Sequence, residues 1–158
     1  MIIYPGTFDP ITYGHLDLIE RACHIFSRVV VAVAENPGKK PFFTLAERME
    51  MAREATSSFA QVRVESFSGL LVEFVQEKKC RVILRGVRAI SDFEYEFQMA
   101  LSNRKLAPDI ETIFMMPKEN YSFFSSRIIK EIASLGGELS EFVPPLVERK
   151  LKEKLFQL

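Results

Sequence analysis

Short apolar stretches recur along the chain, and each of them predicts a β-strand. They occupy residues 2–4, 29–34, 61–67, 81–84 and 111–116. The stretch at residues 29–34 reads Val-Val-Val-Ala-Val-Ala and contains no polar residue, which is typical of a strand that is covered on both faces of a parallel sheet. The first stretch runs into Pro5-Gly6, a pair that is predicted to end its strand.

Between the predicted strands, apolar residues recur three and four positions apart, which is the spacing of one helix face. The predicted helices occupy residues 12–27, 44–56, 70–78, 91–105, 122–135 and 144–158. Two of them begin with a capping box, Thr44-Leu-Ala-Glu47 and Ser91-Asp-Phe-Glu94, whose side chains would bond the free N–H groups at the helix start. Gly136-Gly137 is predicted to stop the fifth helix.

The alternation of strands and helices predicts an α/β fold. We expect a Rossmann-like, doubly wound parallel sheet of about five strands, with helices on both faces and a C-terminal helix. Residues 1–158 show no internal repeat and no dividing linker, so a single domain is predicted. Ligands of such sheets bind beyond the carboxyl ends of the strands. The loops at that edge carry Thr7 to His15, Lys39, Arg85 to Arg88, and Tyr121 to Arg127.

Charge and composition narrow the possible functions. Lys plus Arg (21) balance Asp plus Glu (21), so no nucleic-acid partner is expected, because such a partner normally requires a basic face. The two cysteines, Cys23 and Cys80, form no C-x-x-C pair, and there are only two histidines. We therefore expect neither a disulfide framework nor a metal held by the protein. The sequence shows no signal-peptide pattern and no apolar stretch of ~18 residues, which predicts a cytoplasmic protein without membrane contact.

The first loop carries the clearest chemistry. It follows a strand and opens a helix, an arrangement that directs main-chain N–H groups and the positive end of a helix dipole at one point, where a phosphate can bind. His15 lies in the first turn of that helix and adds a donor for developing negative charge. Gly6 and Gly14 would let the main chain approach a ligand closely. The chain contains neither a P-loop nor a G-x-G-x-x-G motif, so nucleotide phosphate chemistry would need this other arrangement.

These motifs resemble a known family. Thr12-Tyr-Gly-His15 is similar to the [H/T]-x-G-H signature of the nucleotidyltransferase superfamily related to class I aminoacyl-tRNA synthetases. Within it, the segment from Tyr4 to His15 resembles bacterial phosphopantetheine adenylyltransferases. Three further segments share this resemblance: Lys39-Lys-Pro41, Arg85-Gly-Val-Arg-Ala-Ile-Ser-Asp-Phe-Glu-Tyr-Glu96 and Tyr121-Ser-Phe-Phe-Ser-Ser126. The resemblance extends over nearly the whole chain.

The resemblance implies a reaction: reversible transfer of an adenylyl group from ATP to 4′-phosphopantetheine, giving dephospho-coenzyme A and pyrophosphate by direct in-line attack. It also implies Mg²⁺ bound with ATP and a homohexamer, and the similarity of coenzyme A to the product makes coenzyme A a candidate feedback inhibitor. Two other functions stay open. One is adenylyl or cytidylyl transfer to another phosphate acceptor, such as nicotinamide mononucleotide or glycerol phosphate. The other is a nucleotide-binding module without turnover. Thr12 and the Arg-Gly-Val-Arg stretch weigh against the other acceptors.

The same resemblance implies roles for individual residues. His15, Lys39 and Thr7 are the implied catalytic residues: His15 and Lys39 donate to the α-phosphate, and Thr7 orients the attacking phosphate. Thr7, Lys39, Leu71 and Arg85 would bind phosphopantetheine. ATP would contact Thr7, Phe8, His15, Gly86, Val87, Arg88, Glu96, Tyr121, Ser122, Phe123, Phe124, Ser125, Ser126 and Arg127.

Several of these residues also fit a purely structural role. Arg85 and Arg88 fit a solvated strand end, Glu96 fits a helix surface, and Leu71 fits a core position. The serines of the segment that begins at Tyr121 fit N-caps. Arg127 stands where the family often has a small hydroxyl residue, so it is expected either to contact a phosphate or to point to solvent.

Overall fold

The computed structural model describes residues 1–35, 38, 40–88 and 90–156, in which strands and helices alternate. The strands are β1 (Ile2–Gly6), β2 (Val29–Ala34), β3 (Val62–Phe67), β4 (Val82–Gly86) and β5 (Glu111–Met115). The helices are α1 (Tyr13–Ile25), α2 (Leu45–Ala55), α3 (Leu71–Glu77), α4 (Ile90–Leu106), α5 (Glu119–Ser122), α6 (Ser126–Ser134) and α7 (Pro145–Phe156). Within this part of the chain, no helix is long and apolar enough to cross a membrane.

The five strands form one parallel sheet in the order β3-β2-β1-β4-β5. At the centre of the sheet, Ile3 pairs with Val30 of β2 on one side and with Ile83 of β4 on the other. The chain winds outward in one direction from β1 to β3 and in the other from β4 to β5. The crevice for a ligand therefore lies between the carboxyl ends of β1 and β4. This topology confirms the predicted doubly wound α/β fold.

Both faces of the sheet are covered, as predicted. Ile2 of β1 belongs to a core cluster that includes residues of α1, α2, α6 and α7. Ile3, the next residue, belongs to a second cluster with α3 and the segment that follows α4. Successive side chains of a strand point to opposite faces, so neighbouring residues of β1 pack under two different helix layers. The apolar pattern of β2 has the same cause, because Val29 to Val33 are all buried.

Two strands extend two residues beyond their predicted ends. β1 does not end before Pro5, because Pro5 and Gly6 continue to pair with Ala32 and Val33 of β2. The fixed φ of proline is compatible with an extended chain, and proline loses only the donor of its own N–H. β4 likewise extends through Arg85 and Gly86, which pair with β5. Arg85 therefore projects from a strand and not from a loop.

The predicted helix over residues 122–135 is wrong at its start. Ser122 ends the short helix α5, and α6 begins four residues later. Ser125 is the N-cap of α6, since its Oγ accepts a hydrogen bond from the N–H of Ile128 (3.2 Å). The capping box at Thr44 and Glu47 is confirmed. The box predicted at Ser91 stays a prediction, because that side chain lies outside the described set.

Candidate functional site

A cavity of about 440 Å³ lies at the carboxyl ends of β1 and β4, and it is called the first cavity below. It brings together most of the residues that the sequence predicted for a nucleotide site. From the β1 side these are Thr7, Phe8 and His15; from β4 and α4 they are Arg85, Gly86, Arg88 and Glu96; and from the segment around α6 they are Tyr121, Phe124, Ser125, Ser126 and Arg127. Three chain segments that are distant in sequence therefore meet at one edge of the sheet.

Four predicted residues do not line the first cavity. The N–H of Val87 donates to the Met115 carbonyl (3.0 Å), which extends the ladder between β4 and β5. The hydroxyl of Ser122 donates to the Lys118 carbonyl (3.1 Å) inside α5, and Phe123 is exposed on the outer surface. Leu71 lines a neighbouring cavity. Lys39, predicted as catalytic, lies outside the described residues.

This neighbouring space, the second cavity, has a volume of about 540 Å³. Its wall is formed largely by apolar side chains from the start of α3 and from α4, including Leu71, Met99 and Leu106. The two cavities share Pro5, Gly6, Thr7, Arg85 and Glu96. A polar and an apolar chamber thus meet at a common wall that carries a hydroxyl, a guanidinium and a carboxylate.

His15 takes part in an unusual capping box at the start of α1. The main-chain N–H of Thr12 donates to His15 Nδ1 (3.0 Å), and the Thr12 hydroxyl lies 2.9 Å from the same nitrogen. In return, Thr12 Oγ1 accepts from the His15 N–H (3.4 Å). Because Nδ1 accepts from the main chain, it carries no proton, and the neutral ring has its proton on Nε2. A glutamate or glutamine usually fills this position of the box.

The surroundings of His15 keep its ring neutral. Burial is the main cause, and together with the positive charge of Arg88 it lowers the pKa of His15 from 6.5 to about 3. The ring of Phe8 lies edge-on to it, with 5.1 Å between ring centroids, and the ring of Tyr4 packs edge-on against Phe8 at 5.4 Å. His15 is therefore a fixed, uncharged hydrogen-bond donor at the cavity wall.

Gly6 is required by the packing of Phe8. Phe8 is buried and has a φ of 47°, in the left-handed region. A Cβ at position 6 would lie 2.9 Å from Phe8 Cε2, a distance at which the ring must move. Phe8 was predicted to contact ATP. In the structure it lines the cavity and also supports the imidazole of His15.

The guanidinium of Arg85 is hydrogen-bonded to other groups of the protein. Its Nε and Nη2 atoms donate to the two carboxylate oxygens of Glu96, and its Nη1 donates to the Pro5 carbonyl (3.0 Å). Burial lowers the pKa of the Arg85 guanidinium, but the hydrogen bonds and charge of Glu96 more than offset this, so the pKa is raised overall. Glu96 was predicted as an ATP contact and Arg85 as a contact of the other substrate. The structure places them together in the shared wall.

The N-terminal end of α6 forms the far side of the first cavity. Ser125, Ser126 and Arg127 all line it, and the Ser126 hydroxyl donates to the Pro10 carbonyl of the loop after β1 (2.9 Å). A helix N-terminus with free N–H groups and an adjacent arginine suits an anion. The structure thus places Arg127 at the cavity wall. Both predicted roles, a phosphate contact and a solvent-facing charge, are compatible with this position.

Three polar residues near the site were missed by the sequence reasoning. Asp9 accepts hydrogen bonds from the N–H groups of Phe42 (2.9 Å) and Phe43 (2.8 Å) and pairs with Lys130 of α6 (2.6 Å). Arg48 of α2 is fully buried and bonds main-chain carbonyls. A sequence signal for Arg48 did exist, since it stands three residues after Leu45 and four before Ala52, on the apolar stripe of its helix.

A second set of contacts fixes the loop between β5 and α5 onto α1. The carboxylate of Asp17 is buried, and its Oδ2 accepts from the main-chain N–H of Lys118 (3.0 Å). Arg21, one turn later, donates to the Met116 carbonyl (2.6 Å). The helix that carries His15 therefore also fixes the segment that leads to Tyr121.

Comparison with known proteins shows what the chain is similar to. The profile of the family described as cytidylyltransferase-like matches residues 3–132. A phosphopantetheine adenylyltransferase of Thiobacillus denitrificans is 58% identical over 153 residues, which span 97% of this chain and 96% of that protein. One of Heliobacterium modesticaldum is 56% identical over 152 residues, or 96% of this chain and 90% of that protein.

The fold also occurs at much lower identity. The structure of a Plasmodium falciparum nicotinic acid mononucleotide adenylyltransferase, complexed with NaAD, superposes with a TM-score of 0.70 at 12% identity. The match covers 99% of this chain and 94% of that one. At this identity the likeness shows the shared fold alone.

Proposed function

The chain belongs to the phosphopantetheine adenylyltransferases of the cytidylyltransferase-like family, and from this premise we propose how its site works. The reaction is the reversible transfer of an adenylyl group from ATP to 4′-phosphopantetheine, which gives dephospho-coenzyme A and pyrophosphate in coenzyme A biosynthesis. The observation that carries the proposal is the pair of adjoining cavities. A polar chamber suits the nucleotide, an apolar chamber suits the pantetheine arm, and the phosphates of the two substrates meet at the shared wall.

The chemistry needs positioning more than proton transfer. The attacking phosphate is anionic near neutral pH, so no general base is required. One of its oxygens forms a bond to the α-phosphorus of ATP, the bond from that phosphorus to the bridging oxygen breaks, and pyrophosphate leaves with the electron pair. Catalysis then consists of holding two anions in line and stabilising the charge of the transition state.

Several of the predicted residues have a part in this scheme. The Nε2–H of His15 donates to the α-phosphate, and Arg88 with the N-terminal end of α6 binds the β- and γ-phosphates. Thr7 and Arg85 hold the attacking phosphate at the shared wall, and Leu71 contacts the pantetheine arm. Lys39 is proposed to bind the same oxygens as His15. The support for these roles is the common location of the described side chains and the chemistry of their donors.

We propose that Mg²⁺ enters as part of the ATP complex, where it neutralises phosphate charge. Within the described part of the chain, no group of three His, Cys, Asp or Glu side chains could hold a metal ion. The carboxylate of Asp9 is engaged by two N–H groups and an ammonium, and that of Glu96 by Arg85. The donors present fit a metal that is coordinated mainly by phosphate oxygens and water.

We further propose a homohexamer that acts in the cytoplasm and binds coenzyme A as an inhibitor. The support for self-association is a stripe of exposed apolar residues on α4, Phe93, Phe97 and Leu101, in which the first two rings stack on each other; single exposed apolar residues are ordinary, whereas a continuous patch indicates an interface. The two free cysteines, Cys23 and Cys80, suit a reducing compartment. Coenzyme A contains the pantetheine arm and the nucleotide of the product, so it would fit both cavities.

An acceptor panel tests the reaction. The purified protein is incubated with ATP, Mg²⁺ and one acceptor at a time: 4′-phosphopantetheine, nicotinamide mononucleotide or glycerol phosphate. Product mass and pyrophosphate release are measured. We expect product with 4′-phosphopantetheine, loss of it in His15→Asn, and normal turnover in His24→Asn, which changes an exposed histidine of the same helix. Equal or faster turnover with another acceptor would overturn the substrate assignment, and no product with any acceptor would favour a binding module.

A further inference from the structure

Arg48 is a charged residue in the interior, with 1% of its surface exposed. Its guanidinium donates to four main-chain carbonyl oxygens. Nη1 lies 2.7 Å from both the Thr7 and the Ala34 oxygens, Nη2 lies 3.2 Å from that of Glu35, and Nε lies 3.2 Å from that of Phe43. The planar guanidinium is the side chain best suited to serve several fixed acceptors at once.

These four carbonyls belong to the two loops that lead to the shared wall. Thr7 lies in the loop after β1. Ala34 and Glu35 lie where the chain leaves β2, and Phe43 lies where it enters α2, so the bonds hold both ends of the loop that carries Lys39. Asp9, in the loop after β1, links the two loops directly, because its carboxylate accepts hydrogen bonds from the N–H groups of Phe42 and Phe43.

Stability of the core alone does not account for a charge at this position. Burial lowers the pKa of the Arg48 guanidinium, against the negative charges of Asp9 and Glu35, so a charge at this position carries a desolvation cost that its hydrogen bonds must offset. The carbonyl groups that Arg48 binds belong to residues at the ends of strands or in the loops that follow them. Its contribution is therefore to the geometry of the two loops.

We propose that Arg48 is a positioning residue for phosphate transfer, which holds the main chain at Thr7, Glu35 and Phe43 and so keeps Thr7 in place for the attacking phosphate. The inference rests on the proposed function. Arg48 acts through the main chain and has no contact with substrate.

Kinetics of Arg48→Met and Arg48→Lys test this role. Methionine keeps much of the apolar packing of the stem and removes all four donors. Since a displacement of about 1 Å can lower a rate ~10²-fold, we expect kcat to fall about that much in Arg48→Met. Arg48→Lys keeps the charge with fewer, differently directed donors and should restore part of the rate. The dissociation constant for ATP should change less than kcat, because the hydrogen bonds of Arg48 go to Thr7, Ala34, Glu35 and Phe43 and not to His15 or α6.

Thr56→Val is the matched control. Thr56 is buried at the other end of the same helix, and its hydroxyl donates to the Ala52 carbonyl (2.7 Å). This variant should lower the melting temperature and keep kcat at temperatures where it is folded. If Arg48→Lys and Arg48→Met also keep kcat once corrected for the folded fraction, the proposal is overturned. If Arg48→Met does not fold, Arg48→Lys decides.

Amide hydrogen exchange gives a readout that is independent of turnover. In Arg48→Lys, the amides of Phe42 and Phe43 should exchange faster than in the wild type, whereas the amide of Ile128, which is bonded to Ser125, should not change. Unchanged exchange at Phe42 and Phe43, with normal transfer by the wild type, overturns this inference alone. Failure of the wild type to adenylylate any acceptor overturns the proposed reaction, and with it the catalytic part of the inference.

Discussion

The imidazole of His15 is predicted to stay neutral, with its proton on Nε2, across the range in which an unperturbed histidine changes charge. Nδ1 accepts from the main-chain N–H of Thr12, which fixes the tautomer, and burial favours the uncharged form. A neutral donor can stabilise the charge of the transition state without first losing or gaining a proton.

Both the degree of protonation of the ring and the rate lost with its donor have an expected size. With a pKa of about 3, about one ring in a thousand is protonated at pH 6, whereas a pKa of about 6.5 would leave about three-quarters protonated. Removal of one preorganised donor typically lowers kcat by ~10²–10³. His15→Asn should show this loss, because its amide reaches only the position of Nδ1. His15→Gln places an amide N–H near the position of Nε2 and should retain more activity.

Nitrogen NMR of the ring measures the protonation directly. The chain has only two histidines, so selective labelling gives two ring systems, and His24→Asn assigns them. The labelled protein is titrated between about pH 5 and 8. The kcat values of the two His15 variants are measured with both substrates saturating, and ATP binding is measured separately.

Three results would refute the reasoning. The first is a His15 ring that titrates near its ordinary pKa, and the second is a proton on Nδ1 in the neutral form. The third is a His15→Asn variant whose kcat equals that of the wild type. A variant that loses ATP affinity but keeps kcat at saturating substrate would instead show a donor that acts equally in the ground state and in the transition state.

Three further outcomes are expected. Arg85→Ala should raise KM for 4′-phosphopantetheine more than KM for ATP in steady-state kinetics, because the guanidinium is proposed to hold the acceptor's phosphate; an effect on ATP alone would contradict this. Gly6→Ala should displace the Phe8 ring and lower kcat, because that ring supports the imidazole of His15, and an unchanged kcat would show that the ring can move freely. Asp17→Ala should lower the free energy of unfolding in urea by about 1–3 kcal/mol, because the buried carboxylate binds the Lys118 N–H; a change within measurement error would mean that water replaces this bond.

The fold was predictable because its central strands are buried on both faces. In such a strand consecutive residues must all be apolar, and this makes β2 visible in the sequence without any tertiary information. Strand ends were less predictable. Whether Arg85 continues a strand depends on where β5 ends, and no local signal in β4 reports this. The start of α6 failed for a similar reason, since Ser122 and Ser125 are equally good caps and tertiary packing selects the second.

The location of the site was predictable where its residues belong to a sequence motif. It was not predictable where a side chain binds main-chain groups. His15 stands in a motif, but its tautomer depends on the N–H of Thr12, which every residue type supplies. Arg48 and Asp9 bond main-chain groups of loops that come together only through the order of the strands. A side chain that recognises carbonyls or N–H groups leaves no complementary residue in the sequence.

The central position of β1 has a consequence for how the protein acquires its site during folding. β1 pairs with β2 through a short connection, but its pairing with β4 closes a much longer loop, as the bond between Arg85 and the Pro5 carbonyl across 80 positions illustrates. Contacts of such sequence separation form late and slow the folding of a chain. During refolding, the helical circular-dichroism signal should therefore recover before substrate binding does. The N-terminal half of the chain contains His15 but supplies only one wall of either cavity.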